Sequence, residues 1–208
     1  LEAARAVDIP DAGPLVAGSV SGPLRDILNP ATGTVVARVQ EADGPCVEAA
    51  LQAAQAWEAM PEARAKVLNR AADLYEANAG PFYAVLAREA GKTLPDAVGE
   101  LREAVDFLRY YAGQGARLSG PGRGVFAAIS PWNFPLAIFT GQVAGALAAG
   151  NGVLAKPAEQ TPLVAAIAVR LLHEAGVPHA ALQLLPGDGP TVGAALTSDP
   201  RVDGVVFT

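Results

Sequence analysis

Two short segments carry side chains suited to carbonyl chemistry. The first, Ile129-Ser130-Pro131-Trp132-Asn133-Phe134-Pro135, sets a carboxamide between two prolines. Those prolines forbid a regular helix or central strand, so Asn133 sits on a stiff loop. An amide NH₂ fixed in that way can donate to a developing alkoxide, an interaction worth roughly 3–4 kcal/mol in enzymes that use one. The second, Lys156-Pro157-Ala158-Glu159-Gln160, sets an ammonium and a carboxylate three positions apart. Such a pair can bracket the two hydroxyls of a ribose from opposite sides. Taken singly, each has an ordinary explanation: a turn asparagine bonded to local backbone, or a solvated ion pair worth well under ~1 kcal/mol. Placed together at one sheet edge, they point to oxidation of a carbonyl on a dinucleotide-binding scaffold.

Other residues say less. Gly187-Asp188-Gly189-Pro190-Thr191-Val192-Gly193 follows a strand and opens a helix, a place where backbone can approach an anionic ligand. Its spacing is G-x-G-x-x-x-G rather than the dinucleotide fingerprint G-x-G-x-x-G, and an ordinary strand-to-helix turn explains it as well. Glu103 stands off the apolar stripe of its helix beside Arg102, as exposed glutamates commonly do. His173 and His179 flank a helix end and receive no role. Cys46 falls in the first turn of a helix, where a thiol's pKa can drop, but no base or cleft accompanies it.

These groups need elements to hold them. Short strands at Leu24 to Leu28 and Thr34 to Val39 flank the turn Asn29-Pro30-Ala31-Thr32-Gly33. Helices follow over Pro45 to Ala59 (Asp43 as N-cap), Glu62 to Ala79 (ended by Gly80-Pro81), Phe82 to Ala90, and Pro95 to Ala112. In the last, Val98, Leu101, Val105, Leu108 and Ala112 form one apolar stripe. Gly113 to Gly124 is an irregular connection. From Val125 strand and helix alternate: strand to Ser130, helix Leu136 to Ala149, strand Gly152 to Lys156, helix Pro162 to Ala175, strand Leu182 to Leu185, helix Pro190 to Thr197, strand Gly204 to Phe207. Apolar strands separated by helices predict an α/β fold, a Rossmann-like parallel sheet covered on both faces and preceded by a β-hairpin and a helical segment. Right-handed crossovers put every strand end on one edge, where ligands bind. The expected organisation is a hairpin and helical part over residues 1–117 and a βαβαβαβ dinucleotide-binding segment over 118–208.

Bulk composition narrows the classes. The 208 residues are 51% hydrophobic, enough for one sizeable core. Lys and Arg number 15 against 21 Asp and Glu, a net charge of −6 that argues against a phosphate-backbone binder. No run of ~18 strongly apolar residues predicts a membrane span, and Leu1 to Val20 lacks a leader's basic start and apolar block. A single cysteine makes no internal disulfide and fits a reducing, cytoplasmic setting. One Cys and two separated His give no metal-ligand spacing. The chain starts at Leu1 and ends in a strand, so both ends read as cut from something longer.

The Pro131–Pro135 and Lys156–Pro162 segments, at this separation, resemble those of the aldehyde dehydrogenase superfamily, and the likeness runs from the Asn29–Gly33 turn to Val205-Val206-Phe207-Thr208. Glu100 to Ala112 and Leu136 to Gln142 are similar to the Δ1-pyrroline-5-carboxylate dehydrogenase module of bifunctional proline utilization A proteins. The resemblance implies that Asn133 is the oxyanion donor. Ile129, Ser130, Pro131 and Trp132 would line the NAD cleft, Lys156 and Glu159 would hold the adenosine ribose, Gly189 and Gly193 would pack at the adenine end, and Thr208 would approach the nicotinamide. Glu103 and Phe134 would border the aldehyde pocket. It implies NAD-dependent oxidation of glutamate γ-semialdehyde to glutamate in proline catabolism, through a cysteine thiohemiacetal and thioester.

That resemblance also places the nucleophilic cysteine, the general-base glutamate and a Gly-Ser-Thr turn beyond Thr208, so this polypeptide alone is expected not to turn over. An FAD-dependent proline dehydrogenase domain would be separate from it. The implied partners are a small aldehyde, the remainder of the same polypeptide and further copies in a homo-oligomer, although Gly113 to Gly124 is too short for the two-strand flap many relatives use. Two other readings stand beside this one: a dehydrogenase for another semialdehyde, and a catalytically silent module that binds a nucleotide or a partner.

Overall fold

A computed structural model describes residues 7–18 and 20–208; the opening of the Leu1–Val20 stretch, read above as lacking a leader, lies outside them. Strand β1 (Leu24–Leu28) pairs antiparallel with β2 (Val35–Gln40), with Arg25 opposite Val39 and Ile27 opposite Ala37. Asn29 builds the turn between them, its Oδ1 accepting from the Ala31 amide at 2.9 Å and its carbonyl from Gly33 at 2.8 Å. Gly33 takes φ 71°, a left-handed conformation that the lack of a Cβ permits. The segment before the hairpin stitches it to the main sheet through two isolated bridges: Ala12 to Val39, and Leu15 to Leu184.

Four helices follow, and their ends differ from the sequence reading for physical reasons. Helix α1 (Gly44–Ala53) starts as expected, with Asp43 accepting from the Cys46 amide at 3.0 Å. It stops six residues short of Ala59 because the backbone finds other partners: Gln55 N–H donates to Ala180 and Trp57 N–H to Gly150. Helices α2 (Pro61–Ala77) and α3 (Ala79–Glu89) meet at Asn78. Gly80-Pro81 does not break a helix here but lies in the first turn of α3, where a proline's missing N–H is no loss. Helix α4 (Leu94–Gly115) runs three residues past Ala112. Gly115 is needed there, since a methyl group on it would lie 2.7 Å from the Ala148 carbonyl oxygen.

The stripe on α4 is also shifted: Ala97, Leu101, Ala104, Val105, Leu108 and Ala112 are buried, while Val98 is only half-buried. Glu100 lies within that buried face and Glu103 outside it.

From Val125 the alternation holds. Strands β3 (Val125–Ile129), β4 (Gly152–Lys156), β5 (Leu182–Leu184) and β6 (Gly204–Phe207) form a parallel sheet in the order β5-β4-β3-β6. Between them come α5 (Ala137–Ala148), α6 (Pro162–Ala175), and a π-turn at Gly189–Gly193 that runs into α7 (Ala194–Ser198) where one helix was expected. Every residue of β4 is buried, as a strand covered on both faces requires.

Side chains alternate between two cores. Ala128, Val153 and Ala155 face the larger one with α2–α6, and Ala127 and Leu154 face the smaller one with α1, Val192 and Leu196. Fully buried Phe139 and Leu147 on α5 each contribute about 1.5–3 kcal/mol by leaving water, and Phe139→Ala would cost about 3–5 kcal/mol with its cavity.

Candidate functional site

The strand order contains a reversal. The chain passes from β3 to β4 to β5 in one direction, then returns to place β6 on the other side of β3. In open α/β sheets such a switch point leaves a crevice beyond the carboxyl ends of the strands. Here an apolar slot of about 370 Å³ lies beside it, lined by Ile129, Gly193, Thr197, Val205 and Phe207. Half-buried Ile129 lies opposite both Lys156 and Phe207 in register, so three strand ends meet there.

Of the sequence-predicted coenzyme residues, Ile129 and Gly193 line this slot, whereas Thr208 lines a separate cavity with Phe107 and Gln142. Lys156 ends β4 and is 3% exposed; its ammonium lies 3.6 Å from Glu159 Oε1 and donates to the Pro157 carbonyl at 3.0 Å. Burial holds the ammonium below the usual lysine range, and Glu159 opposes that shift. The Glu159 carboxylate is open to solvent, available to a hydroxyl of a ligand.

The π-turn closes over the same spot: a methyl group on Gly193 would stand 3.7 Å from Lys156 Cδ and Cε, and one on Gly189 would stand 3.9 Å from Glu159 Oε1. A side chain at either glycine would thus stand in contact with the pair. Asp188 caps the turn by accepting from the Thr191 amide at 2.6 Å. Thr208 donates its amide to Ile129 at 3.4 Å, and Gln142 bridges the two strand ends, reaching the Ile129 carbonyl at 3.2 Å and Thr208 Oγ1 at 3.3 Å.

The Asn133 loop leaves the sheet at the same edge. Ser130 N–H donates to the Lys156 carbonyl at 3.2 Å. The Ser130 hydroxyl is buried and without a hydrogen-bond partner among the described residues. Half-buried Pro131 and exposed Trp132, Asn133 and Phe134 follow. The Asn133 side chain is thus presented to solvent at the strand end. Phe134 lies under the Lys92 ammonium, 4.4 Å from its ring centroid. Glu103 is exposed on α4, one turn beyond Glu100.

Sequence reasoning missed the residues that hold this edge in place. Arg25 on the hairpin donates to the Glu159 carbonyl at 2.7 Å and pairs with Glu41 at 2.6 Å. Buried Glu100 accepts from the amides of Leu136 and Ala137 and pairs with Lys92 at 2.9 Å. Buried Glu89 accepts from Leu163 and Val164. A charged residue in an apolar helical stripe was the available signal: Glu89 continues the row Phe82, Val85, Leu86, and Glu100 falls between Ala97 and Ala104.

Cys46 is fully buried, and burial, with Asp43 nearby, pushes its thiol up to about 11. Among the described residues no group of three or more His, Cys, Asp or Glu could hold a metal ion, and no helix is long and apolar enough to cross a membrane.

Known proteins share this fold. Residues 19–208 match the model of the aldehyde dehydrogenase family. The chain is 54% identical over 205 residues to the bifunctional protein PutA of Escherichia coli (strain K12), covering 94% of this chain and 15% of that protein. It is 42% identical over 203 residues to the 1-pyrroline-5-carboxylate dehydrogenase of Anoxybacillus flavithermus, covering 87% of this chain and 39% of that one. A Thermus 1-pyrroline-5-carboxylate dehydrogenase solved with bound NAD superposes with a TM-score of 0.90 at 33% identity, over 98% of this chain and 45% of that chain. The chain therefore spans less than half the length of these relatives. It is a member of the aldehyde dehydrogenase family.

Proposed function

We propose that this chain supplies the NAD-binding edge and the oxyanion donor of an NAD-dependent aldehyde dehydrogenase whose substrate is glutamate γ-semialdehyde. In this reading residues 1–117 are the hairpin and helical part of the coenzyme domain, and 118–208 its βαβαβαβ segment. The observation that carries it is the shared register of Ile129, Lys156 and Phe207, which brings the Asn133 loop, the Lys156–Glu159 pair and the Gly189–Gly193 turn to one switch-point crevice. The substrate assignment rests on the similarity to 1-pyrroline-5-carboxylate dehydrogenases.

The residues present fit a dinucleotide. Lys156 and Glu159 would donate to and accept from the ribose hydroxyls, and Gly189 and Gly193 leave room above that pair for the adenine end. Ile129, Ser130, Pro131 and Trp132 would form the wall, with Thr208 at the nicotinamide end. When bound, NAD supplies the acceptor for the hydride.

Asn133 donates its amide to the aldehyde oxygen as a thiolate adds to the carbonyl carbon, so the negative charge forms against a donor already in place. Glu103 and Phe134 border the aldehyde. The thiolate cannot come from Cys46, which is enclosed and held protonated. It is supplied by the rest of the polypeptide, and this segment alone is inactive.

The test is a spectrophotometric assay of the complete protein. NADH formation from NAD and glutamate semialdehyde, faster than from other small semialdehydes, is expected. Faster oxidation of a different semialdehyde would overturn the substrate assignment, and binding of NAD with no oxidation of any aldehyde would overturn the enzyme.

A further inference from the structure

We propose that two buried carboxyls of the helical layer, Glu89 and Glu100, are positioning residues that divide the site between them. Glu100 sets the Asn133 loop and so governs turnover, whereas Glu89 sets the Lys156–Glu159 loop and so governs coenzyme affinity. The proposal rests on the functional reading above and adds to it residues that touch neither substrate nor coenzyme.

The geometry is the same twice. Helix α5 begins after Leu136, whose side chain cannot cap it, and Glu100 on α4, 2% exposed, supplies the acceptor instead: Oε2 takes the Leu136 amide at 3.1 Å and the Ala137 amide at 3.2 Å. Helix α6 begins after Thr161, whose hydroxyl is buried yet makes no cap bond among the described residues. Glu89 at the end of α3, 3% exposed, takes the Leu163 amide at 2.6 Å and the Val164 amide at 3.0 Å.

A Ser or Asp at the cap position would satisfy these amides locally. A carboxyl from another helix does something a local cap cannot: it ties the exit of each loop to a separate layer. The entry of the first loop is already tied, since Ser130 N–H bonds the Lys156 carbonyl. Asn133 lies midway between the two anchors. The clamp extends further, because Lys92 pairs with Glu100 Oε1 at 2.9 Å and covers the Phe134 ring at 4.4 Å, one residue from Asn133. On the second loop, Glu159 lies between the end of β4 and the amides held by Glu89, and Arg25 fixes its carbonyl. An oxyanion donor displaced by about 1 Å loses on the order of 10² in rate, so a loop between two prolines still needs both its ends held.

The test uses the complete protein. Glu100→Gln keeps the side chain's shape but removes the charge facing Lys92; it is expected to lower kcat about tenfold while the Kd for NAD stays constant. Glu89→Gln loses one of two amide acceptors and is expected to raise the Kd for NAD about fivefold, with kcat at saturating NAD unchanged. In an Asn133→Ala background, Glu100→Gln should cost no further turnover.

A role in stability alone would move both constants together, and that result, or additive losses in the double variant, overturns the proposal. If Asn133→Ala itself leaves turnover intact, the oxyanion reading fails first; if it lowers turnover and neither glutamine variant splits the constants, the positioning role alone fails. Should a glutamine variant not fold, Lys92→Met at the half-buried lysine and Glu89→Asp replace them. Lower kcat at constant Kd in the first and weaker NAD binding in the second support the division, and unchanged constants overturn it.

Discussion

Ser130 donates its amide to the carbonyl of Lys156 at 3.2 Å. The loop carrying the carboxamide therefore leaves the sheet from the point where the buried lysine ends its strand. One backbone bond couples the two halves of the site, remote along the chain, with no side chain of either involved. The coupling also means that each half can be altered alone, because removing the Asn133 or Glu159 side chain leaves that bond intact.

Asn133→Ala is the first such alteration. The residue is exposed, and its side chain makes no structural bond among the described residues, so fold stability should change by less than about 0.5 kcal/mol. In the complete protein, kcat should fall by about 10²-fold or more. The Kd for NAD, measured by calorimetry, should stay the same. Unchanged turnover would remove Asn133 from the chemistry.

Glu159→Ala should do the reverse. Its carboxylate is the acceptor of the pair and faces solvent, while Lys156 keeps its bond to the Pro157 carbonyl. Losing a charge-assisted hydrogen bond to a ribose hydroxyl costs about 1.5–3 kcal/mol, and so weakens NAD binding by roughly tenfold or more. Calorimetric titration of the complete protein reads this directly, and an unaltered Kd would refute the ribose role.

Much of this arrangement was legible in the residues. Turn chemistry at Asn29–Gly33, the Asp43 cap, the unbroken apolar strand at β4 and the alternation after Val125 all rest on local rules, and local rules sufficed. The misses share one cause, which is that tertiary partners outbid local signals. Residues 54–59 read as helix by composition, yet Gln55 and Trp57 find carbonyls on Ala180 and Gly150. Gly80-Pro81 reads as a stop, yet a neighbouring helix end makes it a start. In the candidate site, the motif residues drew notice because their types are unusual, whereas Arg25 looks like an ordinary surface charge, and Glu89 and Glu100 stand out only as charges set in apolar helical stripes. Only the packing of α3 and α4 against α5 and α6 turns the two glutamates inward.

Cys46 tests the proposal that the nucleophile lies elsewhere in the complete protein. Its thiol is enclosed on α1 and pushed up to about 11 by burial, with Asp43 adding to the shift. A thiolate is the reactive form, so Cys46 should resist alkylation in the native state at neutral pH and react once the chain is unfolded. Cys46→Ala in the complete protein should leave kcat within about twofold, since its side chain touches core rather than cleft. Rapid native alkylation, or loss of turnover in that variant with its fold intact, would place the nucleophile here after all.

Glu89 gives the fold a dependence on pH with a defined sign. Burial pushes its carboxyl up from 4.5 to about 8, against the pull of the Leu163 and Val164 amides and of Arg25. Between those two values the folded state holds a proton that the unfolded chain has released, so raising the pH through that window favours unfolding. The contribution is complete below 4.5 and lost as pH rises through about 8. His173 runs the other way: burial lowers its pKa from 6.5, with the stacked His179 ring adding to this, so its neutral form is favoured by folding and its contribution grows as pH rises. The difference between wild type and Glu89→Gln isolates the glutamate. In chemical denaturation from about pH 5 to about pH 8, wild type should lose stability relative to the variant as pH increases. Parallel pH profiles for the two proteins would mean that the Glu89 carboxyl titrates near its ordinary value in the fold, with the burial penalty met by the two amides.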